Sequence, residues 1–264
     1  MVRVTRVGEV VQFTMGRLVL GRPLYLVAAY YADGLLVDTG PPAVAREFAR
    51  AVAELPVRAV VLSHAHEDHA GNSPVLAGRG LRPLAHPLAL PLLARPPRQF
   101  VYQRVVWGRQ PPADAAPVPE EVATPSLRLR VVHTPGHSPD HICLFEERRG
   151  WLFSGDLFLS PYVKVARRDE NPHQTIASLR RVLELRVTTV FCASGKVVAD
   201  GRAALQRKLD FWERLRDQAR DLRRQGRTPA EISRMLLGPE GAFRLVTFGH
   251  FSKQNLINAL LREE

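Results

Sequence analysis

A layered α/β sandwich is the fold class this sequence predicts, and three observations carry it. Short apolar runs bounded by glycine and proline recur up to about residue 200, and several alternate with stretches of helical period. The runs nearest the start are close enough together to pair antiparallel, while later ones are separated by helices, which suits layers of sheet and helix. From about residue 205 onward the pattern is helical alone.

Taken in order, residues 9–13, 18–20 and 24–31 read as strands, broken by Gly16, Gly21 and Pro23. Residues 34–40 form another, ending in the small acidic turn Asp38-Thr39-Gly40. Pro41-Pro42 then opens a helix, with Val44, Phe48, Ala51, Val52 and Leu55 at helical spacing. The apolar run 57–63 is long enough for a buried strand. Ten prolines lie between Pro83 and Pro125, which argues against continuous helix or a central strand there. An irregular excursion is expected, either a lid bearing Phe100, Tyr102 and Trp107 or a solvated linker. Strands return at 127–133, 141–145 and 151–154, followed by a helix over 175–185 and a buried strand over 188–193. Leu205, Leu209, Trp212, Leu215, Ala219 and Leu222 make one apolar stripe on a long charged helix, which Gly226 stops. Thr228-Pro229-Ala230-Glu231 caps a second helix, Gly238 ends it, and Ser252 caps a third.

Composition narrows the classes. With 45% hydrophobic and 24% charged residues in 264, the chain reads as an ordinary soluble globular protein. No stretch approaches the roughly 18 to 20 apolar residues of a membrane span, and the first residues lack the pattern of a signal peptide. The two cysteines, Cys143 and Cys192, sit in no CxxC, so a reduced, cytoplasmic setting is expected. The formal charge of +11 comes almost wholly from arginine, with lysine only at 164, 196, 208 and 253. It reads as the coding bias of a GC-rich genome before it reads as a field for anionic substrates or nucleic acid, since no basic run interleaved with aromatics stands out.

The chemistry concentrates in His64-Ala65-His66-Glu67-Asp68-His69, directly after the 57–63 strand and before the Ala70-Gly71-Asn72 break. Neutral imidazole and carboxylate are the donors a zinc-like cation accepts, and the end of a strand is where open α/β sheets place their sites. Three further strand ends carry candidate donors: His137 in Thr134-Pro135-Gly136-His137, Asp156 in Ser154-Gly155-Asp156, and the segment Phe191-Cys192-Ala193-Ser194-Gly195.

In that order these motifs, with Asp38 in the Asp-Thr-Gly turn, resemble the metallo-β-lactamase fold superfamily, which includes the glyoxalase II thioester hydrolases. The resemblance covers about residues 10–205. It implies a four-layer αββα sandwich over 1–205 as the catalytic domain and a small C-terminal helical appendage over 206–264. It also implies that His64, His66 and His137 hold a first metal, that Asp68 and His69 hold a second, and that Asp156 bridges both. Asp38 resembles the family's buried turn aspartate, which supports the metal loop. One departure stands out, because the family's usual Gly-His-Gly is here Ala193-Ser194-Gly195. A serine hydroxyl is a poor zinc ligand, so the second ion is expected to bind more weakly, to use water, or to recruit another side chain. Cys192, His173 and His250 are the candidates for that gap, and His133 and His141 for outer hydrogen-bond partners. His86 is a weaker candidate for contact at the site's mouth, and Arg167 and Arg168 for an anionic substrate or a solvated turn.

The expected function is a zinc-dependent hydrolase with one or two divalent ions, iron or manganese being compatible with the same donors. A metal-activated hydroxide would attack a small thioester, ester or lactone, with Asp68 as the catalytic carboxylate that orients it and moves its proton. A nuclease that holds phosphates on the basic extension is the second expectation, and a degenerate metal-binding relative without activity the third. The expected partner is therefore a small molecule, with nucleic acid less favoured and no membrane. The helical appendage reads as a packing lid or a homo-oligomer surface.

Overall fold

Side-chain alternation decides the architecture. In the strand Val27–Ala32 every residue is buried, but Val27, Ala29 and Tyr31 join one apolar core while Ala28, Tyr30 and Ala32 join another. Successive side chains on a strand point to opposite faces, so a strand apolar throughout must be covered on both. The strand Ile142–Glu146 repeats the pattern, with Ile142 and Leu144 in the shared core and Cys143 and Phe145 in a third. Three cores between four layers follow: helices, sheet, sheet, helices. The computed structural model describes residues 1–262 and shows this αββα sandwich.

The first sheet has seven strands in the order Val2–Val7, Val10–Met15, Val27–Ala32, Leu35–Val37, Ala59–Val61, Leu84–Ala85 and Ala116–Pro117. Its first four pair antiparallel and the rest parallel. The helix Ala45–Val52 makes the crossover to the first parallel pair, burying Phe48 and Val52 beneath Phe13, Leu36 and Leu62. The second sheet has six strands, Glu121–Ala123, Arg128–His133, Ile142–Glu146, Trp151–Phe153, Thr189–Phe191 and Val197–Val198. Its one parallel pair, Leu152 opposite Val190, is bridged by the helix Pro172–Leu183, which Asn171 caps. Each sheet therefore comes from one continuous half of the chain. The carboxyl ends of Leu35–Val37, Ala59–Val61, Trp151–Phe153 and Thr189–Phe191 lead into Asp38, His64, Asp156 and Ser194 respectively.

The proline-rich segment departs from expectation. Instead of an irregular excursion it supplies the strand Leu84–Ala85, the edge strand Ala116–Pro117 and the helices Leu90–Ala94 and Val101–Val106. Pro87 and Pro91 sit at the start of short helices and Pro117 on a sheet edge, where the rule permits them. The strand Val2–Val7 was also unexpected; it lies at the edge of the sheet, with four of its six residues exposed.

The C-terminal region opens with the 24-residue helix Gly201–Arg224, which starts ahead of residue 206 because Asp200 accepts a hydrogen bond from the Ala203 amide. Its Leu205, Leu209, Trp212 and Leu215 share a core with Leu152, Val190, Leu179, Ile232 and Ile257. Thr228 and Glu231 form the expected capping box, and Ser252 caps Lys253–Leu260. The short strand Phe251–Ser252 then pairs with Ala166–Arg167, returning the tail to the end of the sandwich where the His and Asp residues gather. Among the described residues no helix is long and apolar enough to cross a membrane.

Candidate metal centre

The site is built from the Asp38-Thr39-Gly40 turn outward. Asp38 sits at φ 61°, a left-handed conformation that Asp tolerates, and its carboxylate is buried. Oδ1 accepts the Ser63 amide at 2.7 Å, and Oδ2 accepts both the Ser63 hydroxyl and His69 Nδ1 at 2.8 Å. Thr39 holds the other side of the loop, its amide and hydroxyl both donating to the His69 carbonyl. The Ala65 amide and carbonyl are fixed by Asp140 and Gln110. The segment 64–69 is thus held along its length by residues from both halves of the chain.

These contacts set the orientation of the imidazoles. His64 directs Nδ1 to the Ser63 hydroxyl at 3.0 Å, His69 directs Nδ1 to Asp38, and His137 directs Nδ1 to Glu170 Oε1 at 3.2 Å. In each case the Nε2 atom is left for the centre of the cluster. His64 Nε2 and His69 Nε2 are buried atoms with no hydrogen-bond partner, a costly condition unless something fills the space between them. Fixing one imidazole nitrogen so that the other presents a lone pair is how proteins prepare histidine for a metal.

Two donor groups result, one of His64, His66 and His137 and one of His64, His69 and Asp156, with the ligand atoms of each within 4.8 Å of one another. Asp156 spans them, Oδ1 lying 3.3 Å from His69 Nε2 and Oδ2 3.3 Å from His137 Nε2. Asp68 belongs to neither group but reaches to 3.7 Å from His69 Nε2. His64 lies in both groups, where the resemblance had placed it in the first alone. The six residues expected to bind metal therefore come together at one end of the sandwich, with Asp68 at the margin.

Their charge states differ. Burial, followed by the neighbouring imidazoles, holds His64 well below its ordinary pKa; burial and the Arg167 guanidinium do the same to His66. Both are neutral, the state in which an imidazole can accept a metal. For His69 burial works downward, but Asp68, Asp38 and Asp156 outweigh it and hold the ring well above its usual value. Burial likewise opposes the raised pKa of His137, which Asp156 and Glu170 bring about. Asp156 resists its own burial and lies far below the usual carboxylate range beside His69 and His137.

Several residues around the centre were missed or left open by the sequence. Glu170 is 33 positions from His137 and carries no spacing signal, yet it fixes that ring. Arg167 donates to His66 Nε2 at 2.7 Å while its other nitrogens clamp Asp169, so it is part of the site and no solvated turn. His141 accepts the Asp156 amide on Nε2 at 3.0 Å and meets Thr134 through Nδ1, the outer role expected of it. His133 instead faces the Pro139 carbonyl and stacks on His86 at 4.1 Å, and neither lines the cavity. His250 bonds Tyr102 and stacks on Phe100. Ser194 lines the cavity, its hydroxyl 3.0 Å from Cys192 Sγ, and that thiol donates to the Lys196 carbonyl. Neither His173, His250 nor Cys192 joins a donor group among the described residues.

The centre opens into a cleft of about 400 Å³ with largely apolar walls, among them Leu26, Val106, Trp107, Leu159, Tyr162 and Trp212.

Comparison with known proteins agrees with this architecture. The family model described as Metallo-beta-lactamase superfamily matches residues 24–194, and the chain belongs to that superfamily. It is 30% identical over 205 residues to an atrochrysone carboxyl ACP thioesterase of Aspergillus fumigatus, covering 75% of this chain and 43% of that one. A metallo-beta-lactamase family protein of Thermus thermophilus, TTHA1429, superposes with a TM-score of 0.67 at 23% identity, covering 94% of this chain and 92% of that one. TTHA1623 in a di-iron-bound form matches with a TM-score of 0.55 at 28% identity, covering 69% and 94%. The chain spans about half the length of the curated relatives it matches. Fold and His/Asp cluster together imply a divalent metal, and the two orphaned buried nitrogens fit one.

Proposed function

We propose that the chain is a metal-dependent thioester hydrolase acting on a small substrate with an apolar acyl group. The observation that carries this is the opening of a preorganised His/Asp donor cluster directly into an apolar cleft. A nucleic-acid backbone would find few partners on such walls, whereas an acyl chain would bury well. The thioesterase among the relatives supports the same class.

In this reading His64, His66 and His137 would hold one ion, and His69 and Asp156, with His64 and Asp68 beside them, would hold a second. A bound divalent ion supplies Lewis acidity and lowers the pKa of a water toward neutrality. The protein's own part is orientation and proton movement. Burial raises the pKa of Asp68, His69 opposes, and Asp156 adds to the rise. The Asp68 carboxylate can therefore take a proton from the attacking water and return it to the departing thiolate. Asp38, Ser63 and Glu170 keep the imidazoles from rotating as charge develops. Zinc suits an imidazole-rich set, with iron the competing occupant in view of the di-iron form of TTHA1623. Two buried free thiols fit a reducing, cytoplasmic setting.

The test is metal identity and stoichiometry on protein purified without chelator or tag, joined to a screen of thioesters, lactones and phosphodiesters. At least one tightly held ion and hydrolysis of thioesters are expected, both lost in His64→Ala. Turnover of phosphodiesters in place of thioesters would overturn the assignment.

A further inference from the structure

Lys208 lies in the second turn of the helix Gly201–Arg224 and is only 5% exposed. Its side chain lines the cleft one helical turn before Trp212, with Nζ 5.7 Å from the centre of the Phe158 ring. Among the described residues Nζ makes no hydrogen bond or ion pair. The carboxylates whose charge it feels, Asp156 and Glu170, are committed to His69 and His137. Burial is the leading influence and pushes its pKa down to about 8. The side chain is buried along its length while the ammonium reaches the wall of the cleft, where the Phe158 face beside it supplies only a weak attraction.

The other cations of the cleft are differently placed. Arg167 is clamped on Asp169 and turned to His66, and Lys164 is exposed. Three of the carboxylates that line the cleft, Asp68, Asp156 and Glu170, stand in or beside the donor cluster, each facing one of its imidazoles. One cation set in apolar walls fits one negative charge on an apolar body.

The geometry points to Lys208 as the residue that selects an anionic acyl group: the substrate is an apolar or aromatic acyl thioester bearing a single carboxylate, whose oxygen meets Nζ inside the cleft. This rests on the thioester reading above and names its substrate class. Arginine at 208 would preserve the charge, and methionine would preserve the volume without it.

The experiment compares two N-acetylcysteamine thioesters of naphthalene dicarboxylic acid, one with the second carboxyl free and one with it as the methyl ester, by thiol release from the metal-replete protein. The ratio of kcat/KM, anionic over neutral, is expected to exceed ten in the wild type, to fall at least tenfold in Lys208→Met, and to be largely kept in Lys208→Arg. Titration of tryptophan fluorescence with naphthalene-1-carboxylate and its carboxamide should show the same loss of preference. Lys208→Met should raise Tm at pH 7, because a poorly solvated charge without a protein partner is removed, whereas a purely structural lysine would lower it. Hydrolysis with an unchanged ratio in Lys208→Met overturns the assignment. If neither thioester is hydrolysed, the thioester reading fails, and the fluorescence preference alone decides for or against Lys208.

Discussion

Glu170 acts on the centre through a single hydrogen bond to His137 Nδ1. Removing such an outer partner typically costs ten- to a hundredfold in metal affinity, because the ring is then free to turn or change tautomer. Glu170→Ala is expected to lose affinity in that range in competition with a chromophoric chelator, while its far-UV circular dichroism stays native. His141 has a different task. Its pKa is pulled down to about 3 by burial first and by His137 next, so it stays neutral and accepts the Asp156 amide. Between pH 6.5 and about 3 the unfolded chain takes up a proton there that the folded one refuses. Stability from this group is therefore full above pH 6.5 and declines on acidification, by up to about 1.4 kcal/mol per pH unit. Denaturant melts from pH 7 to 4 should show a shallower decline in His141→Gln than in the wild type. At this scale the six expected ligands were legible because four sit in one dense local motif and His137 and Asp156 each directly follow a glycine. Glu170, Asp140 and Gln110 were not, since each meets the centre only through the fold.

Elements are held in place at the site by backbone as much as by side chains. Gly155, at φ +46°, leads the strand Trp151–Phe153 into Asp156, and a Cβ there would stand 2.6 Å from His141 Nε2 and 2.9 Å from Ser63 Cβ. Gly155→Ala must push apart the two loops that carry the donors. A loss of about 2–4 kcal/mol in chemical denaturation is expected, together with reduced metal content. The strands and helices that bury one clean face were readable from period alone, as the stripe of the long helix shows. The proline-rich segment was not. Its strands Leu84–Ala85 and Ala116–Pro117 are only two residues long, and the edge position of the second, which makes Pro117 tolerable, is a property of the assembled sheet.

For the whole molecule, the donors add a further tie between two halves that already meet through the apolar core between the sheets. Hydrogen bonds such as Tyr30 Oη to the Cys192 carbonyl and the Ile142 amide to the Ser63 carbonyl also join them. His64, His66 and His69 come from the first half of the chain, and His137 and Asp156 from the second. Binding of an ion to the folded state alone stabilises it by RT ln(1 + [L]/Kd), about 4 kcal/mol at a thousandfold excess over Kd. Chelation is expected to lower Tm in a scanning experiment, and readdition of zinc to restore it. No change would mean that the layers dock without help from the cluster.

Between Pro117, where the seven-stranded sheet ends, and Glu121, where the six-stranded sheet begins, the backbone passes from one sheet to the other. A nick in that short bridge would cut no sheet in two. The severed pieces could each keep their own strand pairing and reunite across the central seam, and only the reunited pair would own a full set of donors. Occupancy of the cluster would then count rejoined molecules, so the chain could serve as a split reporter whose signal is metal retention.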